Sequence, residues 1–355
     1  MLNTTQKNKI LFRTDGYKDI GIGHIVRCLA LGDMLRDDFQ IAFACQKRDD
    51  DVLNTVRKEG FDLVELPVED DYDADAETLL AYLDKDTILV LDGYRFRETY
   101  QQTVRPHCHK LVCIDDIHSY HFYADMVINH SEHSKYVEYS CEPYTRLCLG
   151  AEYALLRKPF LEHADFKRDI EKPIENVMIC MGGADPENQT LRIFRALELT
   201  KLSLTVNVVI GVANPNYQKI LNWMNDNRAS KLSTNLLSNL SASEMCGQFM
   251  KNDFLFTPGS TTSWEACCIG IPMIVGIIAD NQMGMAEILG KKFAALNVGW
   301  YKDVLTEKIK TKFLKLVNDR KILKQLVDAQ KNIIDGYSKE RYTKLFGDFQ
   351  KIDDD

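Results

Sequence analysis

The chain opens on a short apolar run, Lys9–Arg13 (KILFR), followed by HIVRCLALGDMLR, whose apolar positions recur at helical spacing. The alternation continues. QIAFAC, DLVEL, TILVLD and KLVCID read as strands separated by helix-length segments, and DMVINH adds a further candidate. These runs are continuously apolar and rich in β-branched residues, the pattern of parallel strands covered on both faces. The rhythm breaks between about Ser131 and Lys172. It resumes with NVMICMGG, LTVNVVIG, STNLL, DFLFTPGS, PMIVG and FAALNVG, each followed by a helical segment, and from about Val304 the chain reads as helical and charged. No fixed-period repeat shows. The expectation is an α/β protein of two Rossmann-like domains with parallel sheets facing across a cleft. Residues 1–150 form the first domain, 151–172 a linker, and 173–355 the second domain with a helical tail. Ligands of such sheets bind beyond the strand C-termini, so the loops there are where chemistry is sought.

With 355 residues the chain is long enough for two cores. Its net charge of −8 argues against nucleic acid and anionic membrane as main partners, while leaving room for a local site for an anionic small molecule. No apolar run reaches the length of a membrane span, and MLNTTQKNKILFR lacks the apolar core of a signal peptide, so membrane insertion is not expected. The ten cysteines include no C-x-x-C pair, and Cys113 and Cys180 lie inside apolar runs, as reduced core cysteines of a cytoplasmic protein do.

Five strand ends carry polar groups. In RTDGYKDIGIGHIVR, Gly21 and Gly23 let the backbone turn tightly, and His24 falls in the first turn of a helix. The helix dipole there disfavours an imidazolium, so His24 reads either as a neutral base that orients a water or as a structural, capping histidine. As a dinucleotide fingerprint the stretch is incomplete. Val26 stands where the third glycine belongs, and no acidic residue follows the second strand unless Asp49 serves. Asp92 and Tyr94 in VLDGYRF form either a turn or part of a site, and the Asp115–Asp116 pair suits a ligand hydroxyl or a helix cap equally. In ICMGGADPENQT, Gly182, Gly183 and Asn188 make either an oxygen-binding loop or an ordinary strand-to-helix turn. The most informative stretch is FTPGSTTSWEACCIGIPMIVGIIADNQ. There Gly259, Ser260, Thr261 and Thr262 open a helix as a diphosphate seat without a lysine, Glu265 is placed to bridge ribose hydroxyls, and Asp280, Asn281 and Gln282 follow the next strand.

Two features read as incidental. Asp70–Asp75 (DDYDAD) contains D-x-D but sits in an acidic run before a helix, which fits a solvated N-terminal turn. His107, His109, His118, His121, His130 and His133 crowd one region without the spacing of a metal site. Neither a metal nor a cofactor is expected.

The opening GIGHIVRCLALG resembles the G-x-G-H-x-x-R-x-L-x-L-A motif of the UDP-sugar hydrolases of pseudaminic acid biosynthesis, a wider family that includes proteins of spore-coat polysaccharide synthesis. LDGY, IDD, GAEYALLRKPF, ICMGGAD, GSTTSWEA and NQ match in order, over about Lys9 to Leu289. The Ser–Thr…Glu pattern is shared more widely among GT-B nucleotide-sugar enzymes. The resemblance implies a GT-B fold with UDP held mainly by the second domain. It also implies metal-independent removal of UDP from UDP-2,4-diacetamido-2,4,6-trideoxy-β-L-altropyranose, with inversion at C1. Under it, His24 is the water-activating base, Tyr94 and Asn281 are active-site residues, and Glu265 binds ribose. Gly183 and Ser260–Thr262 contact nucleotide, while Asp15, Gly23, Arg27 and Gln282 complete the substrate-binding set. The implied partners are the UDP-sugar, the UDP product and other enzymes of the pathway. Two rival classes are a GT-B transferase that moves the sugar to an acceptor and a silent nucleotide-sugar-binding protein.

Overall fold

The computed structural model describes residues 8–17, 22–182, 185–211, 214–226 and 231–350. They form two compact units. The first comprises the chain up to Lys158 together with the segment from Tyr337 onward, and the second is Pro159–Gly336.

The first unit is a seven-stranded parallel sheet. Its strands are β1 (Lys9–Thr14), β2 (Gln40–Gln46), β3 (Asp62–Leu66), β4 (Thr87–Asp92), β5 (Lys110–Ile114), β6 (Met126–Asn129) and β7 (Arg146–Leu149), in the order β3-β2-β1-β4-β5-β6-β7. Helices α1 (Gly23–Leu35), α2 (Asp50–Lys58), α3 (Tyr72–Leu79) and α4 (Glu98–Val104) connect them. Both sheet faces are buried, which explains the unbroken apolar runs. Leu11, Ala44, Leu89 and Leu91 pack with Ala76, Leu79, Tyr100 and Val104 of α3 and α4. Phe12 stacks on Phe43 at 4.8 Å, and both are fully buried.

The second unit repeats the plan. After α5 (Lys158–Glu162), strands β8 (Asn176–Cys180), β9 (Leu204–Val209), β10 (Leu232–Leu237), β11 (Phe254–Pro258), β12 (Met273–Ile277) and β13 (Leu296–Trp300) form a parallel sheet in the order β10-β9-β8-β11-β12-β13. Helices α6 (Gln189–Glu198), α7 (Tyr217–Asp226), α8 (Ala242–Lys251), α9 (Thr261–Ile269), α10 (Met283–Lys291), α11 (Thr306–Val317) and α12 (Arg320–Ile333) cover it. In each sheet the strand order reverses once, between β1 and β4 and between β8 and β11, and a doubly wound sheet binds ligands at that switch point.

Three details differ from the sequence reading. The irregular stretch contains a strand, β7, whose four residues are too short to show a period. Part of the expected linker is bound into the second unit, where the Arg168 guanidinium donates to the carbonyls of Gly270 (2.7 Å), Phe249 (2.7 Å) and Asn252. The final helix, α13 (Ser338–Asp348), belongs to the first unit and not to the domain preceding it. It packs against α1 and neighbouring loops: Phe346 lies edge-on to Phe39, in the connection between α1 and β2, at 6.2 Å, and the Tyr342 hydroxyl donates to the Tyr153 carbonyl at 2.6 Å.

Candidate active site

At the first switch point the chain ends β1 at Thr14 in register with Asp92, the last residue of β4. Helix α1 starts beside them. Its N-cap, Ile22, supplies no side-chain acceptor and its first turn holds no acidic residue, so His24 sits among unneutralised N–H groups. His24 is 5 % exposed, and its Nδ1 lies 2.7 Å from Asp92 Oδ1. Asp92 is fully buried and also accepts from Arg27 Nε at 2.6 Å, Arg27 Nη2 at 2.5 Å and the Cys28 thiol at 3.3 Å. Burial opposes ionisation of Asp92, but the charges of Arg27 and His24 outweigh it and hold the carboxyl well below the usual range.

That ionisation fixes the imidazole. A carboxylate only accepts, so Nδ1 carries the proton and, in the neutral ring, Nε2 carries the lone pair. Arg27 Nη2, 3.0 Å from His24 Nδ1, is then a second donor converging on the same Asp92 oxygen and gives no bond to the ring. The edge of Tyr94 packs on His24 at 4.8 Å in a T-shaped contact, which locks the ring plane. The result is a base–orienter pair of the kind that activates a nucleophile.

His24, Asp92, Tyr94 and Asp15 line one cavity of about 80 Å³, together with Tyr17, Tyr72, Gly93, Arg95 and Phe96. Asp15 is held from behind by Arg13 Nη1 (2.8 Å), by the Gln46 N–H (2.8 Å) and by the Tyr72 hydroxyl (3.2 Å). A Cβ on Gly23 would meet nothing within 4 Å, so the helix start there is open. Arg27, expected to bind substrate, is instead buried against Asp92 and, through Nη1 at 3.1 Å, against Asp116, so it positions other groups.

Four carboxylates gain definite roles. Asp116 takes both Arg27 and the Tyr94 hydroxyl (3.4 Å), tying the loop after β5 into the site. Asp115 closes the turn after β5 and starts no helix: it accepts from the Ile117 and His118 N–H groups and from the Tyr139 hydroxyl. Asp49 caps α2 through the Asp51 N–H at 3.0 Å, so it is not a ribose acceptor. Asp75 of the acidic run is not solvated. It is 2 % exposed and clasps Arg13 through Nη2 at 2.7 Å and Nε at 3.1 Å. Of the other histidines, His121 bonds Ser140 and Glu142, and His109 Nε2 donates to the Phe349 carbonyl at 2.7 Å. Among the described residues no group of three or more His, Cys, Asp or Glu side chains is arranged to hold a metal ion.

His130, passed over in the sequence, is buried near this cluster, and its Nδ1 accepts the Leu155 N–H at 3.3 Å. Burial first, and then the Arg27 charge, push its imidazole down from 6.5 to about 4. The unfolded chain therefore takes up a proton between those values that the folded chain refuses, and stability falls as the pH drops through that window. We expect His130 to account for about 2 kcal/mol of lost stability at pH 5 relative to pH 7. A His130→Gln variant should show a correspondingly smaller shift in urea midpoint between the two pH values. An unchanged shift would refute the assignment.

The second unit holds the other predicted residues. Gly183 lies outside the described residues. Past it, Asp185 fills the start of α6 with its own carboxylate, accepting from the N–H groups of Gln189 (2.7 Å) and Thr190 (2.9 Å), while Asn188 accepts from Leu191. That helix start is therefore already neutralised. The start of α9 is different. No carboxylate fills it: the Ser260 N–H donates to Ser263 Oγ at 3.4 Å in a capping box, and Ser260, Thr261 and Thr262 are half-buried. Ser263 fixes the turn by donating to the Pro258 carbonyl at 2.7 Å. A Cβ on Gly259 would stand 2.8 Å from the Ala286 backbone nitrogen and 2.9 Å from the Gln282 carbonyl, so only glycine lets this turn abut the start of α10. Gln282 Oε1 accepts the Ile278 N–H at 2.9 Å, Asn281 is exposed, and Glu265 is buried on α9.

No family model matches the chain. Among curated proteins, an uncharacterized protein of Methanocaldococcus jannaschii is 28 % identical over 276 residues, 75 % of this chain and 55 % of that one, so the chain spans about half the length of that relative. The UDP-2,4-diacetamido-2,4,6-trideoxy-β-L-altropyranose hydrolase of Campylobacter jejuni is 26 % identical over 291 residues, covering 80 % of this chain and 97 % of the other. The chain is thus similar to a UDP-sugar hydrolase over four fifths of its length. Their likeness extends across both units, since the matched stretch is longer than either. In fold, the crystal structure of Acinetobacter baumannii MurG superposes with a TM-score of 0.67 at 13 % identity, covering 96 % of this chain and 99 % of that one. The two parallel-sheet units are those of the GT-B fold. Among the described residues no helix is long and apolar enough to cross a membrane.

Proposed function

We propose that this protein is a UDP-sugar-processing enzyme, and specifically a hydrolase that removes UDP from a UDP-2,4-diacetamido-2,4,6-trideoxyhexose by attack of water at the anomeric carbon with inversion. The observation that carries the reading is the His24–Asp92 pair, with Nδ1 committed to the carboxylate at 2.7 Å in a residue that lines the Asp15–Tyr94 cavity. The sequence relationship to the C. jejuni hydrolase supplies the substrate class.

UDP is a good leaving group, so a strong general acid is unnecessary. The reaction needs stabilisation of charge on the departing diphosphate and a nucleophile on the opposite face. In the second unit, the N–H groups of Thr261 and Thr262 and the hydroxyls at Ser260–Thr262 take the diphosphate, Glu265 takes ribose, and Asn281 and Gln282 add polar contacts. In the first, His24 Nε2 accepts the proton of the attacking water and Asp92 stabilises the imidazolium that forms, while Tyr94 and Asp15 shape the sugar pocket.

The test is release of free UDP from UDP-diacetamido-trideoxy sugars, followed by NMR with and without an acceptor. Acceptor-independent release is the expected result. Release only with acceptor would make the protein a transferase, and binding without release a nucleotide-sugar-binding protein. His24→Ala should lower turnover about 10²–10⁴-fold while UDP affinity survives. Near-normal turnover would remove His24 as the base.

A further inference from the structure

The charge of the chain is unevenly placed. Lys302 to Lys324 contains eight basic and three acidic residues, although the whole chain carries −8. The segment covers α11 and the start of α12. Helix α11 buries Ile309, Phe313 and Leu316, and the residues one step ahead of each, Lys308, Lys312 and Lys315, form the adjoining stripe. Lys310 is neutralised by Glu307 at 2.6 Å, but among the described residues Lys308, Lys312 and Lys315 make no ion pair. They crowd one another: partial burial and the charges of Lys308 and Lys315 hold the Lys312 ammonium below its ordinary value. Three like charges held on one face raise the free energy of the isolated protein and lower it beside an anion.

The stripe ends in apolar groups. Leu305, three residues before Lys308, is 75 % exposed, and Trp300, at the end of β13, carries Lys302 over its ring at 4.6 Å. Lysines beside an exposed leucine and a half-buried tryptophan are the composition of a surface that rests on a bilayer interface. The charges meet anionic headgroups, and the apolar side chains enter the acyl boundary.

We propose that the Trp300–Lys315 face docks this protein reversibly on anionic phospholipid. The acidic remainder of the chain is repelled by the same surface, so binding is confined to this face. The inference is independent of the reaction assigned above.

The experiment is co-sedimentation of the full chain with vesicles of phosphatidylcholine alone or with 30 % phosphatidylglycerol, at about 0.05 and 0.5 M salt. Binding to the anionic vesicles only, and its loss at high salt, is expected. Replacing Lys308, Lys312 and Lys315 with Gln should weaken it roughly fivefold per lysine, and Leu305→Ser should weaken it further. Circular dichroism melts of these variants, in which no fully buried side chain is changed, should match the parent. Absence of binding, equal binding to both vesicle types, or a triple variant that binds as well as the parent would overturn the proposal. Binding of poly(U) RNA with no binding of anionic vesicles would overturn it as well and reassign the stripe to nucleic acid.

Discussion

Asp92→Asn should reduce UDP release about 10³–10⁴-fold with little change in KM. An asparagine amide has nearly the same shape, but its NH2 group can face His24 Nδ1 as a donor. The ring then relocates its proton to Nε2 and has no lone pair to offer the water. The NH2 group would also meet Arg27 Nη2, which shares that oxygen with His24, donor to donor; the amide oxygen still accepts from Arg27 Nε, but the buried guanidinium keeps only Asp116 as its carboxylate partner. Breaking a buried pair in this way costs about 3–5 kcal/mol, and Asp116 places the expected loss at the lower end. Acid sensitivity separates the two effects. Asp92 has a depressed carboxyl, so its contribution to stability is present above the unfolded value of about 3.9 and disappears as pH falls toward the folded one. The variant should therefore lose stability at neutral pH and show a flatter acid limb. Adding His24→Gln to it should cost little further activity, because the two side chains act as one unit. A single variant within tenfold of the parent rate would show that Asp92 does not set the tautomer.

Asp75→Ala should destabilise the first unit by about 3 kcal/mol without touching the reacting groups directly. Its carboxylate holds Arg13 through two nitrogens and also accepts from Gln46 Nε2 at 2.7 Å and the Tyr100 hydroxyl at 2.8 Å. Removing it strands four buried donor groups on three side chains at once, and Arg13 keeps only Asp15 as a charge partner. The three tryptophans, Trp223, Trp264 and Trp300, all lie in the second unit. Far-ultraviolet dichroism should therefore register the lowered midpoint, while a transition confined to the first unit leaves tryptophan fluorescence unmoved. Pairing the change with Arg13→Met should recover only part of the loss, because it removes the stranded guanidinium but leaves the buried Asp15 carboxylate without its charge partner. A loss below about 1 kcal/mol would mean that Asp15 alone satisfies Arg13.

The parallel sheets were readable because each strand is buried on both faces and so appears as an unbroken apolar run. β7 was not, since four residues carry no period. His24 and Tyr94 were singled out from their places after strand ends, and the structure brings them into edge-to-face contact. The grip of Asp92 on His24 depends on β1 and β4 being neighbours, a pairing that crosses some seventy residues of sequence and follows only once the strand order is known. Asp75 misled for a related reason. Its neighbours Asp71 and Asp73 are exposed, as the acidic run suggests, but its own position on α3 turns inward onto a charged residue of β1 that reads in sequence as the end of an apolar strand. Charge placement was also hidden by the average, since the overall acidity conceals the lysine stripe of α11.

The return of α13 to the first unit means that Pro159–Gly336 is an insertion within the fold that precedes it. During synthesis the second unit is complete before the residues that finish the first have left the ribosome. Until then Phe39 and the side of α1 that receives α13 stay uncovered. The inserted segment is thus the natural fragment to express alone, whereas a chain stopped at Lys158 would expose an apolar seam and be prone to associate with itself. Joining residues 337–350 to the start of the chain by circular permutation would instead let the first unit close before the second is made.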